Sequence, residues 1–244
     1  MSDLIISHSI HDSANLRVQV ARTKILIKPL VDAALAFCED HEIDLLIART
    51  PSDRLEISQD LTGLGALLCD TLVYYAIDTR KRPAPLVVAP GTRPYEPKDL
   101  QAIMDLSKIA FSPFGGHYHT DPHITPEQAN NVYYDWARRS CTEPGEADHI
   151  IVAERRGVVA GYVTLKVYGD GDGEVVLGAV APEWQGGGIY RTMIEEGIAW
   201  LATHGAPRVL ISTPIHNRSV RRVWCRLGLE PLKEYHTFHL WFDR

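Results

Sequence analysis

The chain has 244 residues, 45% of them hydrophobic and 23% charged, and its 25 Lys and Arg against 31 Asp and Glu give a net charge of −6. A chain of this length buries well over half of its unfolded surface without a disulfide or metal staple, and this composition excludes wholesale disorder, a collagen-like repeat and a disulfide scaffold. The mildly acidic balance argues against nucleic acid or an anionic membrane as a dedicated partner.

Cys38, Cys69, Cys141 and Cys225 form no CxxC pair, and the opening MSDLIISHSI lacks the basic start and apolar run of a signal peptide. No apolar stretch nears the roughly 20 residues of a bilayer span. A cytoplasmic protein with reduced thiols is the expectation.

Taken in chain order, Leu16 to Val20 alternates as a strand, Val31 to Cys38 reads as a helix and Ile43 to Ala48 as a buried strand. Asp53 to Leu68 reads as a helix weakened at its end by Gly63 and Gly65, and Thr71 to Ile77 as another strand. Residues 80–97, RKRPAPLVVAPGTRPYEP, place five prolines between periodic segments. They predict a boundary between a smaller N-terminal α/β lobe over 1–90 and a larger domain over 91–244. Lys98 to Ala110 and Pro126 to Arg139 read as helices, the second with Thr125 as N-cap. Strands follow at His149 to Glu154, Val158 to Tyr168 and Glu174 to Val180, joined by turns at 155–157 and 169–173 as an antiparallel meander. A helix over Ile189 to His204, a strand over Arg208 to Ser212, a helix over Ser219 to Leu227 ended by Gly228, and a strand over Glu234 to Phe242 complete the chain. The expected class is α/β (α+β).

The segment from Leu177 to Tyr190, LGAVAPEWQGGGIY, runs a strand through Pro182 into three glycines and then a helix. Residues without Cβ let backbone N–H groups converge on one point, and the helix start adds positive potential, so a pyrophosphate is the natural guest. Six basic residues against two acidic ones from Gln185 to Gly228 point the same way. The spacing is neither a GxGxxG fingerprint nor a P-loop.

Gln185-x-x-Gly188-x-Tyr190 after Val180-x-Pro182 resembles the acetyl-CoA loop of the GNAT superfamily of N-acetyltransferases. Asn217-x-x-Val220-x-x-x-Trp224-x-x-x-Gly228 resembles the superfamily's helix beside the pantetheine and thioester. The resemblance implies a GNAT-like, largely antiparallel central sheet flanked by helices, with acetyl-CoA as co-substrate. It implies contacts to acetyl-CoA from Gly178, Ala179, Val180, Gln185, Gly186, Gly187, Gly188, Ile189, Tyr190, Asn217 and Trp224. Two positions depart from the pattern. Tyr190 replaces a small residue, and Trp224 replaces the tyrosine often proposed to protonate the departing thiolate.

The ending Tyr235 to Trp241, the pair Tyr133-x-x-Trp136 and the loop from Phe111 through His117-Tyr118-His119-x-Asp121-Pro122 resemble the TDP-fucosamine acetyltransferase group. That group acetylates an amino group on nucleotide-linked amino-deoxy sugars, which implies such a sugar as acceptor. Gly116, His117 and Tyr118 stand where those relatives commonly carry Ser-Arg-Phe. Another small amine as acceptor, and a CoA-binding module without turnover, stay open as alternatives, and the pattern leaves room for a homodimer.

The chemistry needs an amine freed of its proton, donors for an oxyanion, and departure of CoA as thiolate or thiol. Glu174 is the candidate base acting through water, with His119 as its rival. The N–H of Gly178 or Ala179 could meet the oxyanion, glycine within a strand suggesting a bulge there. Indole cannot act as the acid, a role left to Cys225, Tyr235 or water. Phe111, Phe114, Tyr118, Tyr133 and Trp136 offer stacking faces for the acceptor, and His117, Asp121, Arg138 and Arg139 offer polar contacts. Tyr133 and Trp136 at i, i+3 equally suit a core. His117, His119 and His123 resemble a metal cluster, but no thiol or HExxH partner accompanies them, so no metal is expected.

Overall fold

In the computed structural model, which describes residues 6–81, 89–111 and 115–243, the strands form one mixed sheet. The strands are β1 (Ile6–His8), β2 (Val20–Thr23), β3 (Leu45–Pro51), β4 (Leu67–Asp78), β5 (Thr92–Pro94), β6 (His149–Arg155), β7 (Val158–Val167), β8 (Gly173–Val180), β9 (Arg208–Pro214) and β10 (Glu230–Trp241). Their spatial order is β1-β2-β3-β10-β4-β9-β8-β7-β6-β5. Every pairing is antiparallel except β2 with β3 and β8 with β9. The helices are α1 (Ile10–Leu16), α2 (Val31–Asp40), α3 (Leu55–Gly63), α4 (Leu100–Phe111), α5 (His117–Thr120), α6 (Pro126–Thr142), α7 (Ile189–Thr203) and α8 (Arg218–Arg226).

Period-two alternation in the strands sends successive side chains to opposite faces, so both faces need cover. Leu45, Ile47, Ile150 and Val152 pack in one core with residues of α1, α4 and α6. Leu46 and Ala48 pack on the other face with α2 and α3, and Ile151 and Ala153 with α7 and α8. No helix among the described residues is long and apolar enough to cross a membrane.

The meander β6-β7-β8 and the helices α2, α4, α6, α7 and α8 lie where periodicity places them. Thr125 caps α6 in a full capping box, its hydroxyl accepting from Gln128 N at 3.2 Å while the Gln128 side chain accepts from Thr125 N at 3.0 Å. Thr125→Ala is expected to lower stability by about 1 kcal/mol in urea unfolding, with an unchanged m value.

Two readings change. Leu16 to Val20 is not a strand: helix α1 ends at Leu16, Arg17 takes a left-handed φ of 62°, and the strand begins only at Val20. The apolar alternation there spans a helix end, where Leu16 belongs to the core of one face. The helix expected to reach Leu68 stops at Gly63; Gly65 at φ +87° turns the chain, and Leu67 already opens β4.

The expected boundary at 90/91 falls between β4 and β5 in chain order, but the sheet itself does not part there. Strand β10, last in the chain, lies between β3 and β4 of the N-terminal segment, pairing Tyr235 with both Pro51 and Leu72.

Candidate active site

Strands β8 and β9 run parallel for only three residue pairs, from Gly173↔Val209 to Val175↔Ile211. Beyond them β8 continues against β7 alone and β9 against β4, so the sheet splits into a wedge. A strand with one neighbour presents alternate N–H and C=O groups along its open side. From Val176 to Val180, β8 offers such groups to whatever enters the wedge.

A β-bulge shapes this edge. Thr164↔Leu177 and Leu165↔Val175 are consecutive pairs, which leaves Val176 as the extra residue. Val175 therefore packs towards α7, while Leu177 and Ala179 pack on the opposite face. The bulge expected near Gly178 lies two residues earlier. Gly178 keeps its regular partner Val163, and glycine is required because a Cβ would come within 2.7 Å of Val163 Cγ1 and 3.1 Å of Tyr162 O.

Past β8 the chain turns through Pro182–Trp184 into the glycines. The Gln185 side-chain amide donates to Val180 O at 3.1 Å, tying the turn to the strand end. Gly186 and Gly188 sit at φ +80° and +83°, which side-chain-bearing residues rarely adopt. A Cβ on either would meet nothing within 4 Å, so the space over the turn and the start of α7 is open. Ile189 is buried at 4% exposure beneath the helix start and packs in the core.

The wedge opens into a cavity of about 460 Å³. Glu174, Gly178, Tyr190, Asn217 and Trp224 line its C-terminal side, and Phe111, His117, Tyr118, Tyr133 and Trp136 line its helical side. Glu174 is half-buried, and its Oε2 accepts from the Tyr168 hydroxyl at 2.7 Å. Burial raises its carboxyl above the usual range, opposed in part by that hydrogen bond and by the charges of Arg49 and Lys233.

The remaining wall was not foreseen from sequence. Asp12, Arg22, Arg49, Asp70 and Tyr74, all from the N-terminal segment, line the same cavity. Arg22 donates to Asp12 and to the Tyr118 hydroxyl, which in turn donates to Asp12 at 2.7 Å. Burial favours the neutral Asp12 carboxyl, but the Arg22 charge and the hydrogen bonds from Arg22, Ser9 and Tyr118 outweigh it and hold the group below the usual range. Arg49 carries no such clamp: its buried Nε has no hydrogen-bond partner among the described residues.

Three expected site residues stand elsewhere, and a fourth lies outside the described residues. His119 lies off the cavity wall, its Nε2 2.9 Å from Asn130 Oδ1 and its ring stacked on Tyr133. Tyr235 is buried in β10 with its ring edge-on to Tyr74, also off the wall. Asp121 is 1% exposed, and its oxygens are occupied by His239, Trp241 and His123, so it cannot touch an acceptor. The fourth is Phe114.

Cys69, Asp121 and His239 have ligand atoms within 4.8 Å of one another, but the carboxylate is already hydrogen-bonded and burial pushes the Cys69 thiol up to about 12. A protonated thiol is a poor metal ligand.

A model of the acetyltransferase (GNAT) family matches residues 101–229, more than half of the chain. The chain belongs to the GNAT acetyltransferase family. It is 25% identical over 98% of its length to spore coat polysaccharide biosynthesis protein SpsD of Bacillus subtilis, covering 83% of that protein. It is 31% identical to a mycothiol acetyltransferase of Thermobifida fusca over 43% of this chain and 36% of that protein. A GCN5-related N-acetyltransferase from Sphaerobacter thermophilus superposes with a TM-score of 0.65 at 15% identity, over 97% of this chain and 76% of that one, and so shares the fold.

The two departures from the GNAT pattern touch each other. Trp224, 1% exposed and edge-on to Tyr75, donates its indole N–H to the Tyr190 hydroxyl at 3.2 Å. The larger residue in the loop thus satisfies the buried indole that replaces tyrosine. Asn217 Nδ2 donates to Thr213 Oγ1 at 3.0 Å and fixes the end of β9 to the start of α8.

Proposed function

We propose that this GNAT chain transfers the acetyl group of acetyl-CoA directly to the amino group of a nucleotide-linked amino-deoxy sugar. The observation that carries this reading is the wedge between β8 and β9, which joins the open glycine turn to a cavity walled by arginines, carboxylates and aromatic rings. The residues fit the donor. The turn from Gln185 to Gly188 and the N-terminus of α7 would hold its pyrophosphate. The open edge of β8 would pair with the amide groups of its pantetheine arm, and an N–H of that edge would meet the oxyanion.

On the acceptor side, Arg49 supplies a guanidinium for phosphate, Trp136 offers a ring face while Tyr133 is buried between Phe111 and His119, and Glu174 takes the ammonium proton through water. The match to a protein named for polysaccharide biosynthesis supports a sugar acceptor. Release of free CoA thiol in the presence of nucleotide-linked amino sugars, compared with free amino sugars, polyamines and amino acids, tests this reading. Turnover with the nucleotide-linked sugars alone is expected; a preference for polyamines would overturn it.

Donor binding has its own readout. Acetyl-CoA at 100 times its dissociation constant is expected to stabilise the fold by about 2.7 kcal/mol in a thermal-shift titration. Gly188→Val should lose most of that shift, because its side chain enters the open space over the turn and strains a left-handed φ. Equal shifts in both proteins would remove the glycine turn from the donor site.

A further inference from the structure

Making an amide from an ammonium ion releases two protons, one before the nitrogen attacks and one after it has bonded to carbon. Glu174 accounts for the first. We propose that His117 accepts the second, and that His239 and Asp121 set its tautomer and stabilise its protonated form. The inference rests on the acetyl-transfer reading above.

The hydrogen bonds fix the direction of the chain. Asp121 receives the Trp241 indole N–H at 2.8 Å on Oδ2 and the His123 backbone N–H at 2.9 Å on Oδ1. Burial favours its neutral form, but these donors and His239 outweigh it, so the carboxyl is held well below the usual range and is an acceptor only. His239 Nδ1, 2.6 Å from Asp121 Oδ2, therefore bears the proton. Its Nε2 then carries a lone pair, and His117 Nδ1, 2.8 Å away, must be the donor. That leaves Nε2 of His117 unprotonated. It makes no hydrogen bond among the described residues, and the ring lines the cavity.

Packing holds the arrangement in place. His239 is fully buried on β10, and its ring stands edge-on to that of His117 at 5.1 Å between centroids. The His117 ring lies tilted against that of Tyr118, whose hydroxyl is clamped by Asp12 and Arg22. The charged groups facing the pair are Arg22 on β2, Arg49 on β3 and Asp12 on α1, with His119 beside His117 on α5. Burial, His239 and the two arginines keep His117 neutral when the cavity is empty. A lone buried imidazole would resist a further proton for the same reason. Asp121 offsets this: its negative charge, held behind His239, stabilises the imidazolium that forms when His117 Nε2 takes up the proton, so the buried cation forms beside an anion.

The step balances. The amine lone pair forms the N–C bond, the C–S bond breaks with its electron pair on sulfur, and the N–H proton passes to His117 Nε2. The same proton then passes from His117 Nε2 to the departing thiolate, which leaves as thiol. His117 is thus a catalytic residue, and His239 and Asp121 are positioning residues.

His117→Asn keeps an N–H donor towards His239 and removes Nε2. It is expected to lower kcat by about 10²- to 10⁴-fold while leaving the KM for acetyl-CoA and the acidic limb set by Glu174 in place. Asp121→Asn can keep an oxygen towards His239 Nδ1 and Trp241 Nε1 but removes the negative charge behind His239, and should lower kcat with little change in the KM for acetyl-CoA. Nitrogen-15 NMR of the ligand-free parent should show His117 protonated at Nδ1 and unprotonated at Nε2. Full kcat in His117→Asn overturns the proton acceptor, full kcat in Asp121→Asn overturns the part of the carboxylate, and a ligand-free His117 protonated at Nε2 overturns the tautomer assignment. Failure of the unaltered protein to acetylate any amine while still binding acetyl-CoA overturns the acetyl-transfer reading, and the proton step with it.

Discussion

Glu174→Gln is expected to lower kcat by about 10²- to 10⁴-fold, the range of a lost general base. The substitution keeps the acceptor for the Tyr168 hydroxyl and removes the group that ionises. Burial raises the carboxyl of Glu174, so the acidic limb of kcat/KM should lie above the ordinary glutamate value of about 4.3 and disappear in the variant. Stability gives an independent check of the same shift. A carboxyl with a higher pKa in the folded than in the unfolded state is destabilising once ionised. That penalty is absent below the unfolded value and complete above the folded one. Glu174→Gln should therefore be more stable than the parent at neutral pH, with the gain vanishing below about pH 4. Normal kcat in this variant would take the base role from Glu174.

What was legible in the sequence was local. The bare glycines, the cap at Thr125 and the alternation from His149 to Val180 each act within a few residues, and the structure places all three as read. The bulge was misplaced because glycine was taken as its mark. Gly178 answers instead to the closeness of Val163, and the bulge at Val176 carries no glycine.

The N-terminal wall of the cavity was missed because it depends on a long-range pairing. Only once β10 inserts between β3 and β4 do Arg49 and Asp70 reach the same cavity as Glu174. One local signal was available: Arg49 directly follows the buried run Leu45 to Ala48, and a cation at the end of such a strand needs a polar destination. The sequence reading offers His119 as the rival base and His117 as an acceptor contact, both from one loop. Which of the two histidines reaches the cavity is decided by how α5 packs against β10 and α6, and no spacing in the sequence records that.

Arg49→Met is expected to raise the KM for a nucleotide-linked acceptor by roughly 10- to 150-fold, the equivalent of about 1.5–3 kcal/mol for a hydrogen bond to a charged group. Methionine preserves much of the unbranched stem and removes the guanidinium. The contrast with Arg22 motivates the choice. Arg22 is committed to Asp12 and Tyr118, so its loss would disturb the fold of the wall, whereas the buried Nε of Arg49 has no partner among the described residues to strand. The charge of Arg49 also lowers the carboxyls of Asp70 and Glu174, against the burial that raises both. Its removal should therefore push the acidic limb of kcat/KM further up in pH, whereas Glu174→Gln should abolish it. The KM for acetyl-CoA should hold, since the donor lies against the glycine turn. A free amino sugar, which has no phosphate, should lose little in the variant. If free and nucleotide-linked sugars lost affinity equally, Arg49 would be contacting the sugar ring, and the phosphate assignment would fall.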